Sequence, residues 1–388
     1  MSSSRTIAVV GAGIGGLTAE VALRQAGFEV DVYEQAPELT EVGGGINMGP
    51  NASRILYRLG LGDALDREAV RPLSTHQRRW QDGRTLQRAP LNPRCEELYG
   101  APHLTVHRAD LLSIIASGFP AARIHLGHRL VGVADKGDHT EAWFENGGRI
   151  TADVLVGADG INSTVRECLF GVQPVRFTQQ MAWRCIVPIE CVPTRVGPGG
   201  AVSVAREDYV GWLGPTGHVI CYPIRGGALY NIFAGRVSEE WADESWTVPS
   251  SIAALLDAYR GWNEALLDTL GQVERCFKWG IYDRDPLPQW SKGAVTLLGD
   301  AAHPMMPTLA QGAAITLEDS VALARNIAQH GDPRAALAAY EAERRPRAGQ
   351  VQLQAREQFQ NNRKVPAPPP LSRDWIFAHD ATKQPMAV

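Results

Sequence analysis

The sequence predicts an α/β protein in which a parallel sheet with covering helices is interrupted by an inserted antiparallel sheet and followed by a C-terminal helix. Three observations support this prediction. The chain opens with a strand, a helix and a second strand; short strands with Gly and Pro turns follow from about residue 179; and α/β character returns before a last helix near 333–362. Strands alternating with helices are typical of parallel sheets, whereas strands joined by tight turns are typical of antiparallel ones.

Length and composition limit the class of protein. The 388 residues suggest two interlocked domains. A net charge of −4 gives no reason to expect a nucleic acid partner, and no apolar run is long enough to cross a membrane. The six cysteines are scattered without a C-x-x-C pair, which fits a reducing cytosol and argues against a zinc site. We therefore expect a cytoplasmic protein without a bound metal.

The predicted elements follow from local patterns. TIAVVGAG is a continuous apolar strand, IGGLTAEVALRQAG is a helical stretch with apolar positions, and FEVDVYEQA alternates as a second strand, so the three form a βαβ unit. ADLLSIIASGF predicts another helix. Turns at Lys136-Gly137-Asp138 and Asn146-Gly147-Gly148 divide the next segment into antiparallel strands that lead into DVLVGADG.

The turn after the first strand indicates dinucleotide binding. A G-x-G-x-x-G motif allows a tight turn and close approach of backbone, so that a pyrophosphate can lie at the helix N-terminus. Glu34, followed by Gln35, ends the second strand and is placed to hydrogen-bond a ribose hydroxyl, which favours FAD or NAD over NADP. The alternative is a Gly-rich turn that binds nothing. The glycines of the turn are Gly11, Gly13, Gly15 and Gly16.

Two further acidic residues follow predicted strands. Asp159 lies in DVLVGADGINSTVR, with Arg166 on the following turn or helix, and Asp300 lies in GAVTLLGDAAHP. Taken alone, either carboxylate could cap a helix.

Together, in this order and spacing, the three motifs resemble the flavoprotein aromatic hydroxylases, the single-component FAD monooxygenases, over nearly the whole chain. The resemblance implies a Rossmann-like FAD-binding domain of the glutathione-reductase type. It also implies NADH or NADPH as a transient co-substrate, and no second G-x-G-x-x-G is present for a separate nicotinamide domain. The expected FAD-binding domain comprises 1–75, 100–178 and 280–330, the substrate domain 76–99 and 179–279, and the C-terminal helix and tail 331–388.

The resemblance also assigns residues to the cofactor. Asp300 binds the FAD ribitol, and the helix that begins near Gln311 points its N-terminus at the flavin. This is physically reasonable because reduced flavin carries negative charge near N1, while a helix N-terminus offers unpaired N–H groups and a partial positive charge. For Arg108 the alternative is a surface salt bridge, and His303 is expected only to anchor the loop. The remaining residues assigned to FAD are Gly45, Asn47, Arg108, Leu130, Asp159, Pro307, Gly312 and Ala313.

Candidate catalytic residues lie on the inserted sheet. In GHVICYPIRGG, His218 and Tyr222 share parity and therefore one face of a strand. An unperturbed His titrates at about 6.5, so His218 could accept the proton of a phenolic substrate. The stretch resembles that of 3-hydroxybenzoate 6-hydroxylases, in which the matching His and Tyr serve the substrate hydroxyl. The alternative is a His and a Tyr satisfied within an ordinary sheet. Arg184 and Arg225 are the cations that could meet a substrate carboxylate.

The resemblance implies that NAD(P)H reduces the flavin, that O2 adds to it as a hydroperoxide, and that a small phenolic acid is hydroxylated. Expected substrates are 3-hydroxybenzoate and salicylate, the latter with loss of CO2. The segment from Tyr282 also resembles 6-hydroxynicotinate 3-monooxygenases, which carry a His where this chain has Asn47. An FAD-binding oxidase or carrier, a plain NAD-binding module and a homodimer stay open.

Overall fold

The computed structural model describes residues 5–39, 44–118, 120, 123–196, 202–238, 248–364 and 368–383. The helices in these ranges are α1 (Ile14–Gln25), α2 (Pro50–Arg58), α3 (Gly62–Glu68), α4 (Arg94–Tyr99), α5 (Arg108–Ala116), α6 (Thr164–Phe170), α7 (Ile252–Ala258), α8 (Glu264–Gly271), α9 (Gly312–Gln329), α10 (Pro333–Asn362) and α11 (Asp374–Phe377). None of these helices is long and apolar enough to cross a membrane.

The strands fall into two large sheets and three small ones. In chain order they are β1 (Thr6–Val10), β2 (Glu29–Tyr33), β3 (Gly45–Met48), β4 (Ser74–Arg79), β5 (Thr85–Pro90), β6 (Leu104–His107), β7 (Ile124–His125), β8 (Leu130–Asp135), β9 (Thr140–Phe144), β10 (Arg149–Ala152), β11 (Val154–Gly157), β12 (Arg176–Pro188), β13 (Arg195–Val196), β14 (Val202–Ser203), β15 (Tyr209–Gly214), β16 (Gly217–Ile224), β17 (Leu229–Val237), β18 (Val248–Ser250), β19 (Cys276–Asp283), β20 (Ser291–Lys292) and β21 (Val295–Leu297).

The first large sheet has the order β20-β21-β11-β1-β2-β7. Its strands pair in parallel except for β20 at one edge. Strands β1 and β11 are almost wholly buried because helices cover the sheet, which explains why both are continuous apolar runs. The predicted βαβ unit is confirmed as β1, α1 and β2.

The second large sheet has the order β18-β19-β12-β17-β16-β15-β4-β5. All neighbours are antiparallel except β15 and β4. Side chains on one face, such as Val219, Cys221 and Ile232, form an apolar cluster with Leu255 of α7 and Leu266 of α8. The other face is therefore the one that can meet a ligand. The prediction of an α/β fold with an antiparallel sheet is confirmed, while the proposed domain boundaries stay a prediction.

Helix α10 matches the helix expected near 333–362. Asp332 caps it by accepting a hydrogen bond from Ala335 N at 3.1 Å, and Pro333 occupies its first turn. The helix packs against α9 through a buried ionic cluster, in which Arg344 contacts both Glu318 at 2.9 Å and Asp319 at 2.8 Å. Asp319 also binds His303, so His303 anchors the loop before α9 as expected.

Candidate active site

The Gly-rich turn between β1 and α1 is fixed by close packing. Gly11 has a φ of +104°, and a Cβ there would lie 2.4 Å from the Ala158 carbonyl oxygen. A Cβ on Gly16 would lie 1.8 Å from the Gly11 oxygen, and one on Gly15 would lie 2.5 Å from Thr316 Cγ2. A Cβ on Gly13 would meet no atom of the described residues within 4 Å. Of the four glycines in this turn, Gly13 is therefore the one with a side that is open, within the described ranges, to an approaching ligand.

Glu34 lies over this turn. Its two carboxylate oxygens accept hydrogen bonds from Ala12 N and Ala36 N, each at 2.8 Å. A carboxylate has about four lone-pair positions, so this half-buried group can still accept from a ribose hydroxyl. Gln35 is exposed beside it. Leu130 is buried on β8, opposite Phe144 of β9.

The structure places Asp159 at the start of α6. Its carboxylate accepts hydrogen bonds from Ser163 Oγ at 2.5 Å and from Val165 N at 3.0 Å, and burial raises its pKa. This is the helix-capping arrangement that the sequence left open. Arg166 donates to the Ala301 oxygen at 3.0 Å and to the Ile161 oxygen at 2.6 Å, so it joins the Asp159 and Asp300 segments. A contact of Asp159 with the cofactor stays a prediction.

A cavity of about 250 Å³ lies between the second large sheet and the loops that carry the remaining predicted residues. One wall consists of positions that the resemblance assigned to FAD: Gly45, Asn47, Arg108, Asp300, Pro307, Gly312 and Ala313. The second wall, which meets the first at Gly45, consists mainly of side chains of the sheet: Arg184, Tyr222, Asn231, Phe233, Trp279 and Tyr282. The fold thus brings distant segments of the chain to one site.

Asp300 and the N-terminus of α9 converge on the first wall. The Asp300 side chain is open to the cavity, yet the surrounding protein desolvates it and raises its pKa, while His303 and Arg108 oppose that shift. A Cβ on Gly312, the first residue of α9, would lie 3.9 Å from Asp300 Oδ1. A carboxylate beside unpaired helix N–H groups can bind the hydroxyl and carbonyl groups of one ligand.

These residues fit FAD. The open side of Gly13 gives room for a pyrophosphate, Glu34 can bind the ribose, and Asp300 with α9 can bind the ribityl chain and the flavin ring. Asn47 Oδ1 is a buried acceptor without a hydrogen-bond partner among the described residues, as expected beside a ligand site. Gly43, in the same loop, lies outside the described residues.

Tyr222 and Arg184 give the second wall a hydrogen-bond donor and a positive charge. The pKa of Tyr222 is raised mainly by burial and next by Tyr209, whose ring stacks on that of Tyr222 at a centroid distance of 5.3 Å. Arg184 and a hydrogen bond from Asn47 lower this pKa, but by less. The phenol is therefore neutral and can donate a hydrogen bond. The Arg184 guanidinium lies 4.2 Å from the ring centroid of Trp279, which holds the cation at the cavity.

The other two sequence candidates on this sheet lie outside the cavity. His218 shares a face with Tyr222 but stacks on Phe233 at 5.6 Å, and burial lowers its pKa to about 4. His218 therefore does not have the unperturbed pKa on which its predicted role as a base depends. The Arg225 side chain is 45% exposed and pairs with Asp110 at 2.6 Å, so of the two arginines proposed for a substrate carboxylate only Arg184 lines the cavity.

Sequence reasoning missed Asn231, Phe233 and Trp279. Asn231 and Phe233 alternate with buried residues in LYNIFAGR, so a polar residue within an apolar strand was the available signal. Their placement depends on the pairing of β17 with β12 and β16, which local patterns do not encode.

Comparisons with known proteins agree with this geometry. Residues 4–355 match the family model described as an FAD binding domain. The chain is 40% identical over 352 residues to a 3-amino-4-hydroxybenzoate 2-monooxygenase of Streptomyces platensis, covering 90% of this chain and 87% of the relative. It is 39% identical over 359 residues to a 6-hydroxynicotinate 3-monooxygenase of Pseudomonas fluorescens, covering 91% and 90%.

A solved structure supports the same assignment. A salicylate hydroxylase in complex with substrate superposes with a TM-score of 0.83 at 26% identity, covering 98% of this chain and 97% of that one. The predicted resemblance to aromatic hydroxylases is confirmed. The chain belongs to the FAD-binding-domain family and is an FAD-dependent aromatic-ring monooxygenase.

Proposed function

We propose that the enzyme uses NADH or NADPH and O2 to hydroxylate a small aromatic acid that already carries a ring hydroxyl. The observation that supports this proposal is the presence of the Arg184 cation and the neutral Tyr222 hydroxyl in one cavity with aromatic walls. A carboxylate and a ring oxygen are the groups that this pair can recognise.

FAD, when bound, accepts electrons from the nicotinamide and activates oxygen; the protein supplies position, charge and a dry cavity. The turn formed by Gly11, Gly13 and Gly16 would hold the pyrophosphate at the open side of Gly13, Glu34 would bind the ribose and Asp300 the ribityl chain. The N-terminus of α9 would stabilise negative charge on the flavin ring.

The sheet orients the substrate. Arg184 attracts the carboxylate, and Tyr222 donates a hydrogen bond to the ring oxygen. An anionic acceptor makes the stronger hydrogen bond, so both groups favour the phenolate, which is the better nucleophile toward an electrophilic oxygen. Phe233 and Trp279 contact the flat ring and exclude water. His218 supports Phe233 from behind, so we propose a positioning role for it.

The relatives narrow the candidate substrates. Those named for 3-amino-4-hydroxybenzoate and 6-hydroxynicotinate act on ring acids with a hydroxyl group, as 3-hydroxybenzoate and salicylate also are. The resemblance to 6-hydroxynicotinate enzymes implies a His where this chain has Asn47, and this departure favours a benzoate over a pyridine acid here. The scattered cysteines favour a cytoplasmic location.

The purified yellow protein tests the proposal. NADH or NADPH oxidation, oxygen uptake and peroxide release would be followed together with each of the four acids. We expect one acid to accelerate NAD(P)H oxidation with little peroxide and to yield a product with one added oxygen, with carbon dioxide released if salicylate is the substrate. Unchanged rates with every acid, or complete conversion of oxygen to peroxide, would refute the proposed substrate class.

A further inference from the structure

Asn231 lies where the second large sheet meets the loop at the start of β3. Its Oδ1 accepts a hydrogen bond from Gly45 N at 2.6 Å, and the residue is 2% exposed. A Cβ on Gly45 would lie 2.4 Å from Tyr222 Cε2 and 2.8 Å from Asn231 Cγ. The loop backbone therefore packs directly on these two side chains, and the orientation of the Asn231 amide is fixed.

Strand register places Asn231 beside the two groups that recognise the substrate. Asn231 of β17 lies opposite Tyr222 of β16, and directly opposed side chains in antiparallel strands have Cβ atoms about 4.5–5.5 Å apart. Phe233, two residues along the same face, lies opposite Arg184 of β12. Tyr222, Asn231 and Arg184 all line the cavity, so three hydrogen-bond donors are adjacent on one wall.

The carboxamide of Asn231 has two ends. Because the oxygen accepts from Gly45 N, the NH2 group is the end that remains for a ligand in the cavity. We propose that Asn231 donates this N–H to the ring oxygen of the substrate, beside the Tyr222 hydroxyl. Asn231 would thereby determine the preference for a hydroxylated ring and the distance between that ring and the backbone at Gly45. This inference rests on the proposed function and adds a specificity-determining residue to it.

Two neutral donors on one oxygen also favour binding of the substrate as its phenolate, whose proton has passed to bulk solvent, so no strong base is needed in the cavity. Hydrogen bonds to an anionic oxygen are about twice as strong as those to a neutral one, so the pair stabilises the ionised substrate. An acid without the ring hydroxyl would leave the buried NH2 group and the Tyr222 hydroxyl unpaired, which costs binding free energy.

The test is a thermodynamic cycle in which the Asn231 side chain and the substrate hydroxyl are removed separately and together. Dissociation constants would be measured on the FAD-loaded enzyme, from the change in flavin absorbance, for the hydroxybenzoate that the wild type hydroxylates and for benzoate. We expect the affinity advantage of the hydroxybenzoate to fall about tenfold in Asn231→Leu. Equal weakening of both ligands would show a purely structural role and would overturn the inference, as would no weakening of either.

A second variant keeps the inference testable if Asn231→Leu does not fold. Asn231→Asp retains an oxygen for Gly45 N–H but has no donor when ionised, so at alkaline pH we expect wild-type FAD content with a selective loss of hydroxybenzoate affinity. Unchanged selectivity in this variant would also reject the inference. A wild-type enzyme that hydroxylates no acid would instead refute the proposed function, so the two failures are distinguishable.

Discussion

The protonation state of Tyr222 decides what this side chain can do in the cavity. Because burial raises its pKa, the phenol stays protonated across the physiological range and acts as a hydrogen-bond donor rather than a base. We therefore predict that Tyr222→Phe retains FAD but lowers kcat/KM about tenfold to a hundredfold and diverts oxygen to peroxide. Steady-state kinetics with peroxide detection would check this.

His218 provides the comparison for this variant. Because its ring is neutral and lies behind Phe233, His218→Ala should change activity less than Tyr222→Phe and should leave the pH profile of kcat/KM unaltered between pH about 6 and 8. A profile that loses an ionisation near neutral pH in this variant would instead identify His218 as the base.

At this scale, the family resemblance and the strand parity located the cavity better than the contacts of single residues. Seven positions that the resemblance assigned to FAD do line one cavity, and the parity of Tyr222 placed it on the ligand-facing side of β16. Asp159 accepts a hydrogen bond from the first turn of α6, its contact with FAD staying a prediction, and His218 lost its expected basicity through burial. Desolvation depends on the whole tertiary environment, which the one-dimensional pattern does not contain.

Among the elements, α9 and α10 pack on one another through buried ion pairs, which make their stability depend on pH. Burial alone raises the pKa of Glu318, but Arg344 and Arg347 lower it to about 2. A depressed carboxylate contributes stability that is complete above its unfolded pKa of 4.5 and is lost as the pH falls toward the folded value. Since α9 begins at the first wall of the cavity, whose positions were assigned to FAD, this cluster holds that wall in position.

We predict that Arg344→Met destabilises the protein by about 3–5 kcal/mol, because it leaves buried carboxylates incompletely paired. The neighbouring Arg345→Met is a matched control: its ion pair with Glu341 is 3.4 Å long and partly exposed, so the loss should not exceed about 1 kcal/mol. Urea unfolding of both FAD-loaded variants would measure the difference, and equal losses would contradict the assigned role of the cluster.

The bounds of elements were predictable where capping signals are strong. Asp332 and Pro333 mark the start of α10, and the Gly-rich turn marks the start of α1. The parallel pairing of β4 with β15 was not predictable, because no short-range signal links a strand near residue 75 to one near residue 210.

At the scale of the whole molecule, the residues predicted to bind FAD lie on segments that are far apart in the chain: the turn after β1, strand β3 and the start of α9. A ligand that binds only the folded state stabilises it by an amount that rises with the logarithm of its affinity. Selective weakening of FAD binding should therefore lower the stability of the loaded protein alone.

Gly13→Ala tests this linkage. A Cβ there meets no protein atom, so the apoprotein should keep its stability within about 1 kcal/mol, whereas the methyl group would obstruct the pyrophosphate. We expect reduced FAD content and a smaller rise of the thermal midpoint on adding FAD. Gly11→Ala should destabilise the apoprotein as well, because its Cβ would clash with the Ala158 oxygen. An apoprotein destabilised equally by both changes would argue against a ligand-specific requirement at Gly13.

The close packing of Gly45 on Tyr222 and Asn231 constrains how this enzyme could acquire new substrates. A Cβ at this position would clash with both side chains, so Gly45 cannot be exchanged for a larger residue without displacing them. Phe233 and Trp279 are large side chains that face the cavity from β17 and β19. Evolution or engineering toward larger aromatic compounds should therefore begin with a smaller residue at Phe233, because Trp279 also holds the Arg184 cation.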